Sequence, residues 1–149
     1  MKCRLTKVCK MISGKMEMAK DIPLFLMRIV LAYGFWGPAT MKWNNMDGII
    51  EWFTGMGMPF PTLNAYMAAS TEMAGVFLLA SGLFTRLISI PLMLVMLVAI
   101  FTVHFTNGFE AGNNGYEIPL YYLLMLLTLF IYGAGKFSLD NLINTKTTA

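Results

Sequence analysis

Few side chains in this sequence can do chemistry, and most of them sit where an apolar chain is a costly place for them. Arg28, Glu72 and His104 interrupt or end long apolar stretches, and Lys42, Glu110 and Glu117 stand at the edges of such stretches. A buried Arg and Glu make an ion pair. A histidine near neutral pH carries a proton or ligates a metal. Carboxylates at an apolar boundary hold cations or relay protons. In a membrane helix each charged centre costs roughly 2.5 to 3.5 kcal/mol on insertion-based scales, so these groups need partners or a wet cavity.

Other chemistries are excluded or weakly supported. A haem held by two histidines is ruled out, since the chain has one His. Phosphate-binding loops, a GxGxxG after a strand and an HExxH helix are absent. Ser70, His104 and Glu110 have the residue types of a hydrolytic triad, but nothing in the spacing joins them. Fourteen methionines suggest Cu(I), which thioethers suit, with Met56, Met58 and His104 as the weak metal candidates. Methionine is also routine filler of apolar packing, and Met93 and Met96 on one face fit that use. Cys3 and Cys9, six residues apart in a basic tail, form no disulfide framework.

The elements that must position these groups are helices. Hydrophobic residues make up 57% of the 149-residue chain and charged residues 13%, against roughly 25% charged in a soluble domain. Four apolar segments stand out: Ile22 to Trp43, Leu63 to Leu83, Leu87 to Phe105, and Ile118 to Ala134. Each is near the roughly 20 residues that cross a bilayer core, where only helices or closed barrels satisfy the backbone. The reading is an all-α membrane protein, a four-transmembrane-helix bundle. A short interfacial amphipathic segment, Met46 to Phe53, lies between helices one and two and ends in Gly-Met-Gly-Met-Pro-Phe-Pro. Residues 1–21 form a basic tail, 22–142 the membrane domain, and 143–149 a flexible tail.

Six of the eleven basic residues lie in the first twenty positions. With Arg86, Lys136 and Lys146 they fall on one side of the membrane, against Lys42 alone on the other, so both termini are expected in the cytoplasm. This explains the net charge of +3 and argues against a nucleic-acid partner; the bilayer is the expected one.

Spacing sets direction. Arg28 and Lys42 are fourteen residues apart, on one stripe of the first helix. Glu72 shares a stripe with Ala68, Gly75, Leu79 and Gly82, small enough for close helix approach. Arg86 and His104 are eighteen apart, five turns of an ideal helix, and Glu117 leads a stripe through Tyr121, Leu124 and Thr128. At about 1.5 Å per residue, Arg28 is roughly 9 Å from one membrane face and Glu72 roughly 13 Å from the other. The expectation is an Arg28–Glu72 ion pair, working or merely fixing register, with Lys42, His104, Glu110 and Glu117 as an outer polar cluster.

An ordered set of residues resembles the DoxX family over about residues 24 to 142. It comprises Arg28, Gly34 and Lys42, then Gly57-Met58-Pro59, then Glu72-Met73-Ala74-Gly75, then Gly82 and Arg86. Glu117, Gly133-x-Gly135 and Ser138-Leu139-Asp140 close it. Ala74 departs from the second Gly of many members. The stretch Phe35 to Ala39 and the run His104 to Glu117 are similar to members associated with bufferin-type metal-chelating peptide systems. The resemblance implies a four-helix bundle in a bacterial inner membrane, in a family that includes the membrane subunit of a thiosulfate:quinone oxidoreductase and members linked to oxidative stress. It implies a membrane subunit tied to redox or metal-stress processes that interacts with a quinone, with Arg28, Glu72 and His104 at the head group. The alternative is a non-enzymatic scaffold or escort for a peptide or protein maturation complex or for metal handling, and a third reading is a small transporter. A protein partner or a homo-oligomer is expected in each case.

Overall fold

The computed structural model describes residues 20–147, so all but the last two residues of the basic tail read over residues 1–21 lie outside the described residues. The regular elements among the described residues are all helices, with no strand. Helix α1 is Asp21–Asn44, α2 Met46–Gly55, α3 Pro61–Ser81, α4 Thr85–Ala99, α5 Glu117–Tyr132 and α6 Leu139–Thr147. The long elements fall within a few residues of the apolar stretches, because the run of apolar side chains and the breakers around it set their limits. α6 crosses the domain boundary placed at residue 142.

Helix α1 packs along α3 and touches α5, while α4 packs against both α3 and α5. The four therefore close into a ring around one core of Leu24, Leu31, Phe35, Val76, Leu79, Leu92, Met96, Leu126 and Leu129. Two glycines set the closest approaches. A Cβ at Gly75 would come within 2.8 Å of Leu92 on α4. A Cβ at Gly34 would run into the Tyr122 hydroxyl on α5. These positions use small residues to bring backbones together, as membrane helices commonly do.

Helix α2 sits apart from that core. Ile49 and Phe53 are buried with Ala65 of α3 in a second cluster, and Met46, Ile50, Met56 and Met58 pack onto it. Its amphipathic pattern thus has a partner inside the protein.

The outward faces of the bundle are apolar. Leu26, Leu87, Leu94, Phe101, Leu124 and Ile131 are all exposed. Water-soluble monomers rarely present apolar surface on that scale. Two helical stretches are long and apolar enough to cross a membrane, Asp21–Asn44 and Thr85–Asn107, and Glu117–Tyr132 is a shorter apolar helix.

Helix α4 does not run on evenly. Its α-helical part stops at Ala99 and a π-helical turn follows, Ile100–His104, then a 3₁₀ turn, Phe105–Asn107. A π turn holds i→i+5 bonds and so adds a residue to the turn. The five-turn alignment of His104 with Arg86 assumes an ideal helix and is lost.

Candidate functional site

The bundle holds its ionisable groups in three places, and the pairing differs from the one the depths suggest. Glu72 is bound to Lys42, not to Arg28. The Lys42 ammonium donates to both Glu72 oxygens, 2.7 Å to Oε2 and 3.0 Å to Oε1. The Lys42 side chain is 12% exposed and that of Glu72 is 4% exposed. The reason is the direction of side chains on a helix. Every Cα–Cβ bond tilts toward the helix N-terminus. On α1 that sends Lys42 back down the bundle, and on antiparallel α3 it sends Glu72 up to meet it. Arg28, also on α1, is sent down as Lys42 is, and so away from Glu72.

Arg28 points to the near end, where α1 begins and the turn from α3 to α4 lies. Its side chain is fully buried. Nη1 donates to the Leu79 carbonyl at 3.4 Å, and Nη2 donates to the Phe137 carbonyl. The guanidinium carbon is 5.5 Å from the Phe25 ring centroid, a cation–π contact. Asp140 is the carboxylate whose charge reaches it, but the hydrogen bonds go to backbone carbonyls. Nε has no partner.

Around Arg28 the segment after α5 is tied to the bundle by polar contacts that the sequence does not announce. The Asp21 Oδ1 accepts from the Lys136 amide at 3.0 Å. Arg86 Nη2 donates to the Ile131 carbonyl at 3.2 Å. The Asp140 carboxylate accepts from the amides of Phe84 at 2.8 Å and Thr85 at 3.2 Å, so it caps the start of α4 from 55 residues away. Phe84 itself is left-handed at φ 49 and supplies no side-chain cap. A carboxylate there also opposes the positive end of the helix dipole. Asp140→Ala is expected to cost about 1 to 2 kcal/mol, the usual range for a lost cap. Thermal unfolding in detergent measures it, with Asp140→Asn recovering part of the loss.

The outer cluster does not assemble. Lys42 is taken by Glu72. His104 Nδ1 lies 2.8 Å from the Asn114 carbonyl. Glu117 accepts from the Ala111 amide at 3.0 Å and from the Tyr121 hydroxyl at 3.1 Å. Glu110 accepts from Asn113 Nδ2 at 3.4 Å. These three residues shape the loop before α5, each through its own neighbours. Met56 and Met58 pack as apolar groups on the cluster of Ile49, Phe53 and Ala65. Among the described residues no three His, Cys, Asp or Glu gather as a metal site.

An all-helical bundle with an apolar exterior and an ion pair sealed inside has the build of a membrane-associated protein. The DoxX family model matches residues 23–105, and the chain belongs to the DoxX family. It is 34% identical over 145 residues to a Haemophilus influenzae protein named "Uncharacterized protein", covering 92% of this chain and 91% of that one. It is 29% identical over 121 residues to the Bacillus subtilis protein named "Putative oxidoreductase CatD", covering 81% and 85%. A second "Uncharacterized protein" of Haemophilus influenzae is 37% identical over 131 residues, covering 84% and 95%. No solved structure matches the chain.

Proposed function

We propose that this chain crosses the inner membrane four times, with both termini in the cytoplasm, and serves as a quinone-interacting membrane subunit of a redox process. The observation that carries the reading is the Lys42–Glu72 pair. It lies inside a bundle whose exterior is apolar, with side chains 12% and 4% exposed. Ionisable groups at such positions are expensive and mark proton or substrate paths in membrane proteins. The Bacillus subtilis relative carries the name "Putative oxidoreductase CatD", which favours this choice over a scaffold.

The chemistry assigns roles by type. A quinone carbonyl needs a hydrogen-bond donor, and the Lys42 ammonium is one. Reduction to the quinol takes two electrons and two protons. The electrons come from a peripheral protein partner. The Lys42 ammonium gives one proton to the quinone oxygen it holds, Glu72 takes up a proton from water and passes it to the resulting amine, and the second quinone oxygen takes its proton from water. Trp43, beside Lys42 and in ring contact with Tyr66 at 6.1 Å, gives the site an optical reporter.

The test is titration of the detergent-purified chain with a short-chain benzoquinone, read by tryptophan fluorescence. Saturable quenching is expected, weakened about tenfold in Lys42→Met, the equivalent of one charge-assisted hydrogen bond. Quenching without saturation, or undiminished in Lys42→Met, sinks the quinone role. Labelling Cys3 and Cys9 with an impermeant maleimide tests the orientation separately: reaction in inverted vesicles only is expected.

A further inference from the structure

At the near end of the bundle a groove of about 380 Å³ opens between the last turn of α3 and the segment that follows α5. It is lined by Ser81, Lys136, Phe137, Ser138, Leu139 and Leu142. Its lining combines one exposed ammonium with apolar walls. The Lys136 side chain is 69% exposed, and its ammonium makes a loose ion pair with Asp21 Oδ2 at 3.8 Å, which leaves its other N–H groups open to the groove. Phe137 and Leu139 are exposed as well.

The ground beneath the groove is positive. Arg28 donates to the Phe137 carbonyl directly under it, and its guanidinium lies against Gly82 together with Ser138. The nearby carboxylates offset only part of this. Asp140 holds the amides of Phe84 and Thr85 and Asp21 faces Lys136, two negative charges against the three positive ones of Arg28, Arg86 and Lys136. Phe84 and Leu87 carry exposed apolar surface at the same end, so the groove continues the apolar exterior of the bundle.

We propose that this groove seats an anionic phospholipid, its headgroup phosphate on Lys136 and its first methylenes against Phe137 and Leu139. The inference rests on the reading that the chain is embedded in a bilayer, with this end at the cytoplasmic leaflet. Basic pockets between membrane helices on that side bind anionic headgroups through such contacts. A free phosphate uses the lysine but leaves the exposed Phe137 and Leu139 unused, whereas a lipid uses both kinds of group. The polar contacts behind the groove then gain a purpose. They hold Lys136 and Phe137 rigidly at the edge of the bundle, so the seat is formed before the lipid arrives.

The experiment uses the full chain in nanodiscs of equal phosphatidylglycerol and phosphatidylcholine, released into the gas phase for native mass spectrometry. Retained phosphatidylglycerol is expected to exceed phosphatidylcholine about fivefold, what one well-placed lysine gives near a membrane surface. Lys136→Glu should abolish the preference, and Lys136→Gln and Leu139→Ser should reduce it. Lys20→Glu changes an exposed lysine outside the groove and should leave the preference intact. An undiminished preference in Lys136→Glu overturns the proposal. So does an equal loss in Lys20→Glu, which signals general attraction to the leaflet, or equal displacement by inorganic phosphate. Circular dichroism of each variant separates loss of fold from loss of the seat. A chain that stays in solution without detergent and does not enter nanodiscs refutes the membrane reading itself, a different outcome from the loss of lipid preference.

Discussion

Glu72→Ala is expected to destabilise the bundle by about 3 to 5 kcal/mol, the cost of leaving one member of a buried ion pair alone. The Lys42 ammonium has two short bonds to Glu72 and little solvent to replace them. That loss is a large share of the roughly 5 to 15 kcal/mol that holds an ordinary domain together. Denaturation in mixed micelles, followed by helix content, measures it. The double variant Lys42→Met with Glu72→Met is the informative partner. Apolar replacement of a whole buried pair is commonly neutral or stabilising by about 1 to 4 kcal/mol. The double variant should therefore be more stable than Glu72→Ala and inert toward quinone. A Glu72→Ala protein as stable as the parent would mean that the pair is solvated. A double variant that still binds quinone as the parent does would remove the pair from the function.

Gly82→Ala carries the second large effect. Gly82 is left-handed at φ 69, and a Cβ there would collide with the Arg28 guanidinium and press on Ser138. Two costs combine. A left-handed alanine costs about 1 to 2 kcal/mol. Pushing Arg28 off its carbonyls forfeits charged hydrogen bonds worth about 1.5 to 3 kcal/mol. Gly57→Ala is the control, because Gly57 has φ 72 and open space around its Cβ position. The expected result is a loss of about 3 kcal/mol or more at Gly82 and about 1 to 2 kcal/mol at Gly57, compared by thermal unfolding. Equal losses at the two glycines would mean that Arg28 does not depend on the space Gly82 leaves.

The long helices were legible in the sequence because apolar runs and their breakers act locally. α1 ends at Asn44, and α3 stops at Ser81 before the left-handed Gly82, and both limits can be read from residue types. That Arg28, Lys42 and Glu72 point inward was legible too, since a stripe follows from spacing alone. Their partners were not. Depth along a helix locates a Cα, while the tilt of Cα–Cβ carries a lysine or arginine head toward the helix N-terminus. That tilt exchanges Arg28 for Lys42 as the mate of Glu72. The π turn at Ile100–His104 was hidden for a related reason: helical periodicity assumes a constant turn, and His104 leaves its stripe when one turn widens. The ties of Asp21 and Asp140 were invisible because they join backbone amides 115 and 55 residues away. The tight Gly-rich loop before Glu117 was signalled by its turn residues, but not the separate engagements of His104, Glu110 and Glu117 within it.

The cap on α4 also imposes an order of events at the ribosome. Its amides at Phe84 and Thr85 are made long before their acceptor, Asp140. At about 5 to 20 residues per second, translation leaves some 3 to 11 seconds between the two. During that interval the start of α4 and the Arg28 guanidinium lack the chain that will cover them. Only when Phe137 and Asp140 emerge is the near end closed. A nascent chain arrested before residue 140 should therefore expose Thr85 and Arg28 to protease and to passing lipid, whereas the finished chain buries both.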